Sequence, residues 1–193
     1  MSNRRWKDEY DRKCISVDQL INDIPSGTVI GTPVIPMTPQ SFMANLHKLP
    51  ADVKDVELYT ILNPVPQKFC MEPEFEGRIR NNCWFYGGGD RASAESGLDI
   101  VSYVPNNAHQ AIADLVNYKK INLFIGSASP MDEHGYLTLS CSAFIEQDLI
   151  DAADRVVLEV NPKAPRTFGD APIHISKIDA IIEVEHDLPR ETI

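Results

Sequence analysis

The sequence predicts an α/β fold: an open, mostly parallel sheet flanked by helices. Three observations carry that prediction. Strand-like and helix-like segments alternate over most of the 193 residues. The strands at 121–125 and 156–160 are almost wholly apolar, broken only by Asn122 and Glu159, as strands covered on both faces are. A composition of 43% hydrophobic and 24% charged residues is an ordinary globular balance, sufficient for one buried core.

Each element has its local reason. The first dozen residues are charged, with Trp6 and Tyr10 four apart, so a short surface helix can lay both rings on the body. Ser16-Val17-Asp18-Gln19 has the pattern of a capping box, and Val17, Leu20, Ile21 and Ile24 behind it share one helix face. Pro25-Ser26-Gly27 ends that helix, and 28–31 reads as a strand. Pro33, Pro36 and Pro39 then require regular structure to stop. Thr38 as cap and Pro39 in the first turn begin a helix that buries Phe42, Met43, Leu46 and Leu49 and ends at Pro50.

Residues 56–62 form the next strand, rich in β-formers. The proline-rich stretch 63–76 is mostly loop, 79–86 is extended, and Gly87-Gly88-Gly89 breaks it. A helix over 90–96 stops at Gly97, and 100–104 is a short strand. Asn107 caps a helix carrying Ala108, Ile112, Leu115 and Val116 on one face. After the buried strand at 121–125 come a loop over 127–132, a turn at Glu133-His134-Gly135 and a strand at 136–139. A helix over 143–153 points Phe144, Leu149 and Ile150 inward. Beyond 156–160, a loop over 161–172 leads to at least one more strand, built on Ile173, Ile175, Ile178 and 180–184.

Charge and cysteine usage exclude several classes. Twenty-eight acidic against eighteen basic residues give a net charge of −10, which argues against a general nucleic-acid binder. No apolar run reaches the ~20 residues of a membrane span. The start, Met1 to Lys7, is charged rather than apolar, so no secretory signal is visible and a cytoplasmic location is expected. The cysteines at 14, 70, 83 and 141 show no CxxC pair, so a zinc site is not expected. Reduced thiols are favoured, with two long-range disulfides formally open.

Ligands of open parallel sheets sit beyond the carboxyl ends of the strands. That singles out four loops: 31–39, 87–91, 127–135 and 161–170. None carries a nucleotide fingerprint of the GxGxxG or GxxxxGK[ST] kind. The first loop reads as a proline-stiffened connection or as an acyl or phosphate wall. Gly87-Gly88-Gly89-Asp90-Arg91 reads as a flexible turn or as an anion cradle at a helix start. His134 reads as part of an acidic turn or as a stray metal ligand. Arg166 is a natural carboxylate clamp, or a loop ion pair with Asp170.

Two segments go further. Ser129-Pro130-Met131-Asp132-Glu133-His134-Gly135-Tyr136 is the first. The second is Glu159-Val160-Asn161-Pro162-Lys163-Ala164-Pro165-Arg166-Thr167-Phe168-Gly169-Asp170, followed by Ile173-His174-Ile175-Ser176-Lys177-Ile178-Asp179. Together they closely resemble the N-terminal half of the acetyl-CoA hydrolase/transferase family, its 4-hydroxybutyrate CoA-transferase branch above all. The likeness runs roughly from Tyr10 to Pro189. It implies a fold of the glucosamine-6-phosphate/ribose-5-phosphate isomerase and CoA-transferase kind. It implies coenzyme A as substrate, with no metal, and chemistry through a glutamyl-CoA thioester.

In that family the nucleophilic glutamate belongs to a second domain, in a Glu-x-Gly-x-Gly motif that this sequence lacks. Residues 1–193 are therefore expected to be the N-terminal CoA-transferase domain, with 1–14 as an extension and no catalytic residue of its own. The expected substrate-binding residues are Gly31, Pro39, Ser129, Pro130, Asp132, Gly135, Asn161 and Arg166. The expected partners are an acyl-CoA and a small carboxylate, and a C-terminal CoA-transferase domain in cis or in trans. A homo-oligomer is also expected, without nucleic acid or membrane. Two other readings stand beside this one: a non-catalytic acyl-CoA or carboxylate-binding module, and a sugar-phosphate isomerase-like enzyme on the same general fold.

Overall fold

The computed structural model describes the backbone of residues 2–189 and side chains from Arg5 onward. Met1 and residues 190–193, which the domain assignment 1–193 includes, lie outside the described residues. Nine strands follow in chain order: β1 (Val29–Val34), β2 (Val56–Ile61), β3 (Ile79–Cys83), β4 (Val101–Tyr103), β5 (Leu123–Ala128), β6 (Tyr136–Thr138), β7 (Arg155–Val160), β8 (Pro172–His174) and β9 (Ala180–Glu183). Six helices alternate with them: α1 (Ser2–Lys13), α2 (Val17–Asn22), α3 (Gln40–Asn45), α4 (Gly88–Glu95), α5 (Ala111–Tyr118) and α6 (Glu146–Ala152).

Seven of the strands make one sheet in the order β4-β3-β2-β1-β5-β7-β9, and every neighbouring pair is parallel. β6 and β8 form a separate antiparallel pair. The period of two along each strand sorts the apolar residues onto two faces. Ile30, Leu58, Ile125, Val157 and Ile182 meet α2, α3 and Phe69 and Phe75 on one face. Val29, Tyr59, Phe124, Leu158 and Ile181 meet α5, α6 and the β6/β8 pair on the other. Fully burying one Leu, Ile or Phe side chain is worth about 1.5–3 kcal/mol, so double coverage is what makes these strands read as apolar runs.

The predicted α/β class holds, and so does the Ser16 cap: its hydroxyl accepts from the Gln19 N–H at 3.1 Å. Trp6 and Tyr10 of α1 pack on the second core as expected. Four local expectations are corrected. β1 does not stop before Pro33 but runs on to Val34. Its register with β2 shifts between Gly31 and Val34, and that irregularity absorbs the donor proline lacks. β5 continues to Ala128, because the small residues Gly126, Ser127 and Ala128 extend its ladder with β7.

Asn107 does not cap α5. Its carbonyl accepts from Gln110 and Ala111 in a preceding turn, and the helix buries Ala111, Ile112 and Leu115 while Ala108 is exposed. Phe144 is not inward: it is 62% exposed, because α6 starts two residues later at Glu146.

Gly87 and Gly89 are not a loose turn: their N–H groups donate to Asp90 Oδ2 and to the Asn63 carbonyl. A Cβ on Gly87 would run into the Asn63 backbone, and one on Gly89 into the Val65 backbone. The segment after β2 is thus pressed against the start of α4 at a distance only glycine allows. Gly89→Ala is expected to destabilise the chain by about 2–3 kcal/mol, through backbone that cannot move aside. Urea unfolding of the 193-residue chain reads this as a lowered midpoint at an unchanged slope.

Candidate functional site

The chain leaves β1 toward β2, β3 and β4 on one side, then returns to β5, β7 and β9 on the other. The reversal falls between β1 and β5, so the crevice beyond their carboxyl ends is where this topology places a ligand. The segment from Val34 to Ser41 fills the floor of that crevice. It is pinned at several points. Ser127 of β5 donates its N–H to the Met37 carbonyl at 3.0 Å and its hydroxyl to the Thr38 carbonyl at 3.3 Å. Thr32 donates its hydroxyl to the Tyr59 carbonyl.

Two buried carboxylates complete the attachment. Glu159, at the end of β7, has no exposure and accepts from the N–H groups of Ser41 at 3.1 Å and Phe42 at 2.6 Å. It therefore caps α3 from a different strand. Thr38, the expected cap, does not: its Oγ1 is buried with no hydrogen-bond partner among the described residues. Glu146 accepts from the Val34 N–H at 3.3 Å, and from Ser142 Oγ, Phe144 N–H and Ile145 N–H. Hydrogen bonds to an ionised group contribute about 1.5–3 kcal/mol each, enough to hold two charges inside the protein.

A third buried acid organises the neighbouring exit. Asp90, 2% exposed, accepts from Asn63 N–H and Nδ2, Asn81 Nδ2 and Gly87 N–H. It thereby occupies the start of α4. Cys83 lies 3.4 Å from the same carboxylate, and burial, then Asp90, push its thiol up to about 12. Burial, seconded by Asp90, does the same to Cys70. Neither thiol is a nucleophile at neutral pH.

The expected site residues divide into two constellations. Gly31, Pro39 and Asn161 belong to the crevice. Gly31 is buried in β1 under Leu149 of α6, and Pro39 is buried at the head of α3. Asn161 is fully buried, donating Nδ2 to the His186 carbonyl at 2.8 Å and accepting from the Lys163 N–H.

Ser129, Pro130, Asp132, Gly135 and Arg166 belong to the region around β6 and β8. Ser129 is fully buried, with its hydroxyl shared with Thr138 Oγ1 at 2.9 Å. Pro130 is exposed and borders, with Asp132, an open groove against Lys7 and Tyr10 of α1. Gly135 takes φ +87°, with the Trp6 and His174 rings against it, so a side chain there is excluded twice over.

Arg166 does not pair with Asp170. Its Nη2 donates to Asp132 Oδ2 at 2.6 Å and its Nη1 to the Tyr136 carbonyl at 3.1 Å. Burial works against the Asp132 charge, but the N–H groups of Tyr136 and His134 and the Arg166 guanidinium hold its carboxyl below the usual range. The guanidinium therefore shapes the loop that the sequence had it reach across, and its remaining donors are what a ligand could use.

A pocket of about 230 Å³ opens beside the crevice, lined by Thr38, Gln40, Met43, Ala44, Pro64, Val65, Gln67 and Pro189. It joins the exits of β1, β2 and β9, with carbon on most of its wall and Thr38, Gln40 and Gln67 as its polar residues. Sequence reasoning missed Glu159, Glu146, Gln40 and His186 as contributors here. Glu159 alone left a trace, as the one charged residue in an apolar strand.

The architecture is thus an open parallel α/β domain whose topological switch point opens at the carboxyl edge of the sheet. Residues 1–189 match the model of the acetyl-CoA hydrolase/transferase N-terminal domain, and the chain belongs to that family. It is 31% identical over 192 residues to the succinyl-CoA:cyclohexane-1-carboxylate CoA transferase of Geobacter metallireducens, covering all of this chain and 43% of that protein. It is 26% identical over 196 residues to the 4-hydroxybutyrate coenzyme A transferase of Clostridium kluyveri, covering 95% of this chain and 42% of that one.

Among solved structures, RipA from Yersinia pestis superposes with a TM-score of 0.85 at 28% identity, over 97% of this chain and 46% of that one. The chain spans less than half the length of the relatives it matches. Among the described residues, no helix is long and apolar enough to cross a membrane.

Replacing Glu159 with Ala leaves buried N–H groups without an acceptor, and is expected to cost about 3 kcal/mol or more. Replacing half-exposed Arg166 with Ala is expected to cost under about 1 kcal/mol. Parallel urea titrations compare the two. Thiol reagents should modify Cys14 and Cys141, which are exposed, and leave Cys70 and Cys83 intact until the chain unfolds.

Proposed function

We propose that this chain is the N-terminal half of a CoA-transferase that moves CoA between an acyl-CoA and a small carboxylate such as acetate. The acyl group would be acetyl, butyryl or 4-hydroxybutyryl. The single observation that carries the reading is the pocket at the carboxyl edge of the sheet, beside the switch-point crevice, within a chain that matches an N-terminal domain and about two-fifths of the length of CoA transferases. Its wall of Met43, Ala44, Pro64, Val65 and Pro189 suits the carbon end of a short acyl group, and Thr38, Gln40 and Gln67 offer polarity.

The chemistry belongs to a second domain, supplied in cis or in trans. There a glutamate carboxylate attacks the thioester carbonyl, releasing CoA thiolate and leaving a mixed anhydride. The thiolate returns to the glutamyl carbonyl, the first carboxylate leaves, and a glutamyl-CoA thioester remains. The acceptor carboxylate takes over by the same two steps in reverse. This half acts by placement: the pinned Val34–Ser41 segment presents a wall that does not rearrange during the reaction. Among the loops, Arg166 keeps the 129–136 turn in shape through Asp132 and offers its remaining N–H groups to the acceptor carboxylate.

The isolated 193-residue chain is expected to show no CoA transfer from acetyl-CoA or butyryl-CoA, and to gain it when joined to a domain carrying the glutamate. Transfer by the isolated chain would move the nucleophile into this half and overturn the assignment. Saturable acyl-CoA binding without turnover, in both forms, would favour the binding-module reading. In the joined protein, Arg166→Ala is expected to raise the acceptor KM about tenfold with little effect on the CoA term. An unchanged acceptor KM removes Arg166 from the site.

A further inference from the structure

Beyond β9 the chain turns over the head of α3, and His186 lies on the buried end of β7. Three segments meet at its ring. Nδ1 is 3.0 Å from Gln40 Nε2, 3.3 Å from Asn161 Nδ2 and 3.1 Å from the Asp187 carbonyl oxygen. Nε2 is buried with no hydrogen-bond partner among the described residues, and it faces Glu159 Oε2 at 3.8 Å. The charged groups around the ring are Glu159 of β7, Lys163 beyond it, and Asp187, whose carboxylate bonds Lys163 Nζ at 2.9 Å. α3 and the turn at Asn161 present only amides to it.

Nδ1 cannot satisfy all of these neighbours at once. With a lone pair it accepts from the Gln40 amide; with a proton it donates to the Asp187 carbonyl. The ring therefore has two hydrogen-bonded arrangements that differ by one proton, and Nε2–H faces Glu159 in both.

We propose that His186 is a protonation switch joining the segment after β9 to Gln40 at the head of α3. In the neutral state Nδ1 accepts from Gln40 and ties that side chain to the ring. In the protonated state Nδ1–H turns to the Asp187 carbonyl. Gln40 then loses the ring, keeping only its own bond to that carbonyl at 2.9 Å. Because Gln40 lines the pocket, the proton on His186 sets whether one of its polar side chains is held by the ring as well as by the Asp187 carbonyl. The inference does not depend on the transferase reading.

The sign follows from the surroundings. The Glu159 carboxylate raises the affinity of His186 for a proton, burial opposes it, and the Asp187 carbonyl supports it; the net direction is upward from 6.5. The charged arrangement is thus fully present below the ordinary value and is lost as pH rises through the higher folded one.

Nuclear magnetic resonance of the 193-residue chain between about pH 5.5 and 9 tests this, following the His186 ring nitrogens and the Gln40 side-chain amide. The expected result is one midpoint above 6.5 shared by both groups. Glu159→Gln should lower the ring's midpoint by about one unit. His186→Gln, at a position that is not fully buried, should abolish the Gln40 titration even if the Glu159 variant does not fold. A wild-type midpoint at or below 6.5 overturns the proposal. So does a Gln40 amide that ignores the ring, or one that still titrates in His186→Gln.

Discussion

The Glu159 carboxylate holds the carboxyl edge of this sheet together. It sits at the end of a central strand without solvent contact, and its two oxygens face backbone N–H groups of α3 and the ring of His186. A lone charge at that depth is costly, so the amides that satisfy it must stay in place, and so must the chain that carries them. The head of α3, the floor of the crevice and the departing segment after β9 are thereby fixed relative to β7. Glu146 repeats the device from the opposite helical layer by reaching the Val34 N–H. Two acids from one face of the topology and its reverse hold a single loop between them.

That arrangement separates holding from reacting. The buried acids accept from the protein's own donors and have almost no solvent exposure, while the pocket beside them is mostly carbon-lined. The β6/β8 region follows the same logic. Asp132 and Arg166 neutralise each other across the 129–136 turn, and Ser129 spends its hydroxyl on Thr138. The chain spans less than half the length of its relatives, and its polar groups at this edge are largely engaged with one another.

The sheet was readable because its strands bury both faces: short apolar runs rich in β-branched residues, such as Val156 to Leu158 between helical segments, suit a strand covered on both sides. The Ser16 cap was readable because it is local, a hydroxyl three residues from its donor. The α3 cap was not, since Glu159 lies 118 residues from Ser41, and only the fold brings them together. Pro33 misled for a related reason. A proline ends a strand unless the neighbouring register shifts to accommodate it, and the shift is a property of the pair. Motif reasoning singled out segments near the strand ends, but their bounds shifted and their residues answer to unforeseen partners. Gly87 and Gly89 answer to the backbone of Asn63 and Val65, and Arg166 to Asp132, and neither partner adjoins them in sequence.

The rims of the sheet carry a further consequence. At one side β4 has three residues; at the other, Ile15 donates to the Ile181 carbonyl and Cys14 bridges to Ile181, so the link between α1 and α2 lies along β9. A seven-stranded parallel sheet with bare margins would invite another molecule's strand to dock edge to edge. Here one margin is too brief to serve as a template and the other is already sealed by the chain's own beginning. Aggregation by sheet extension is thus disfavoured at both ends.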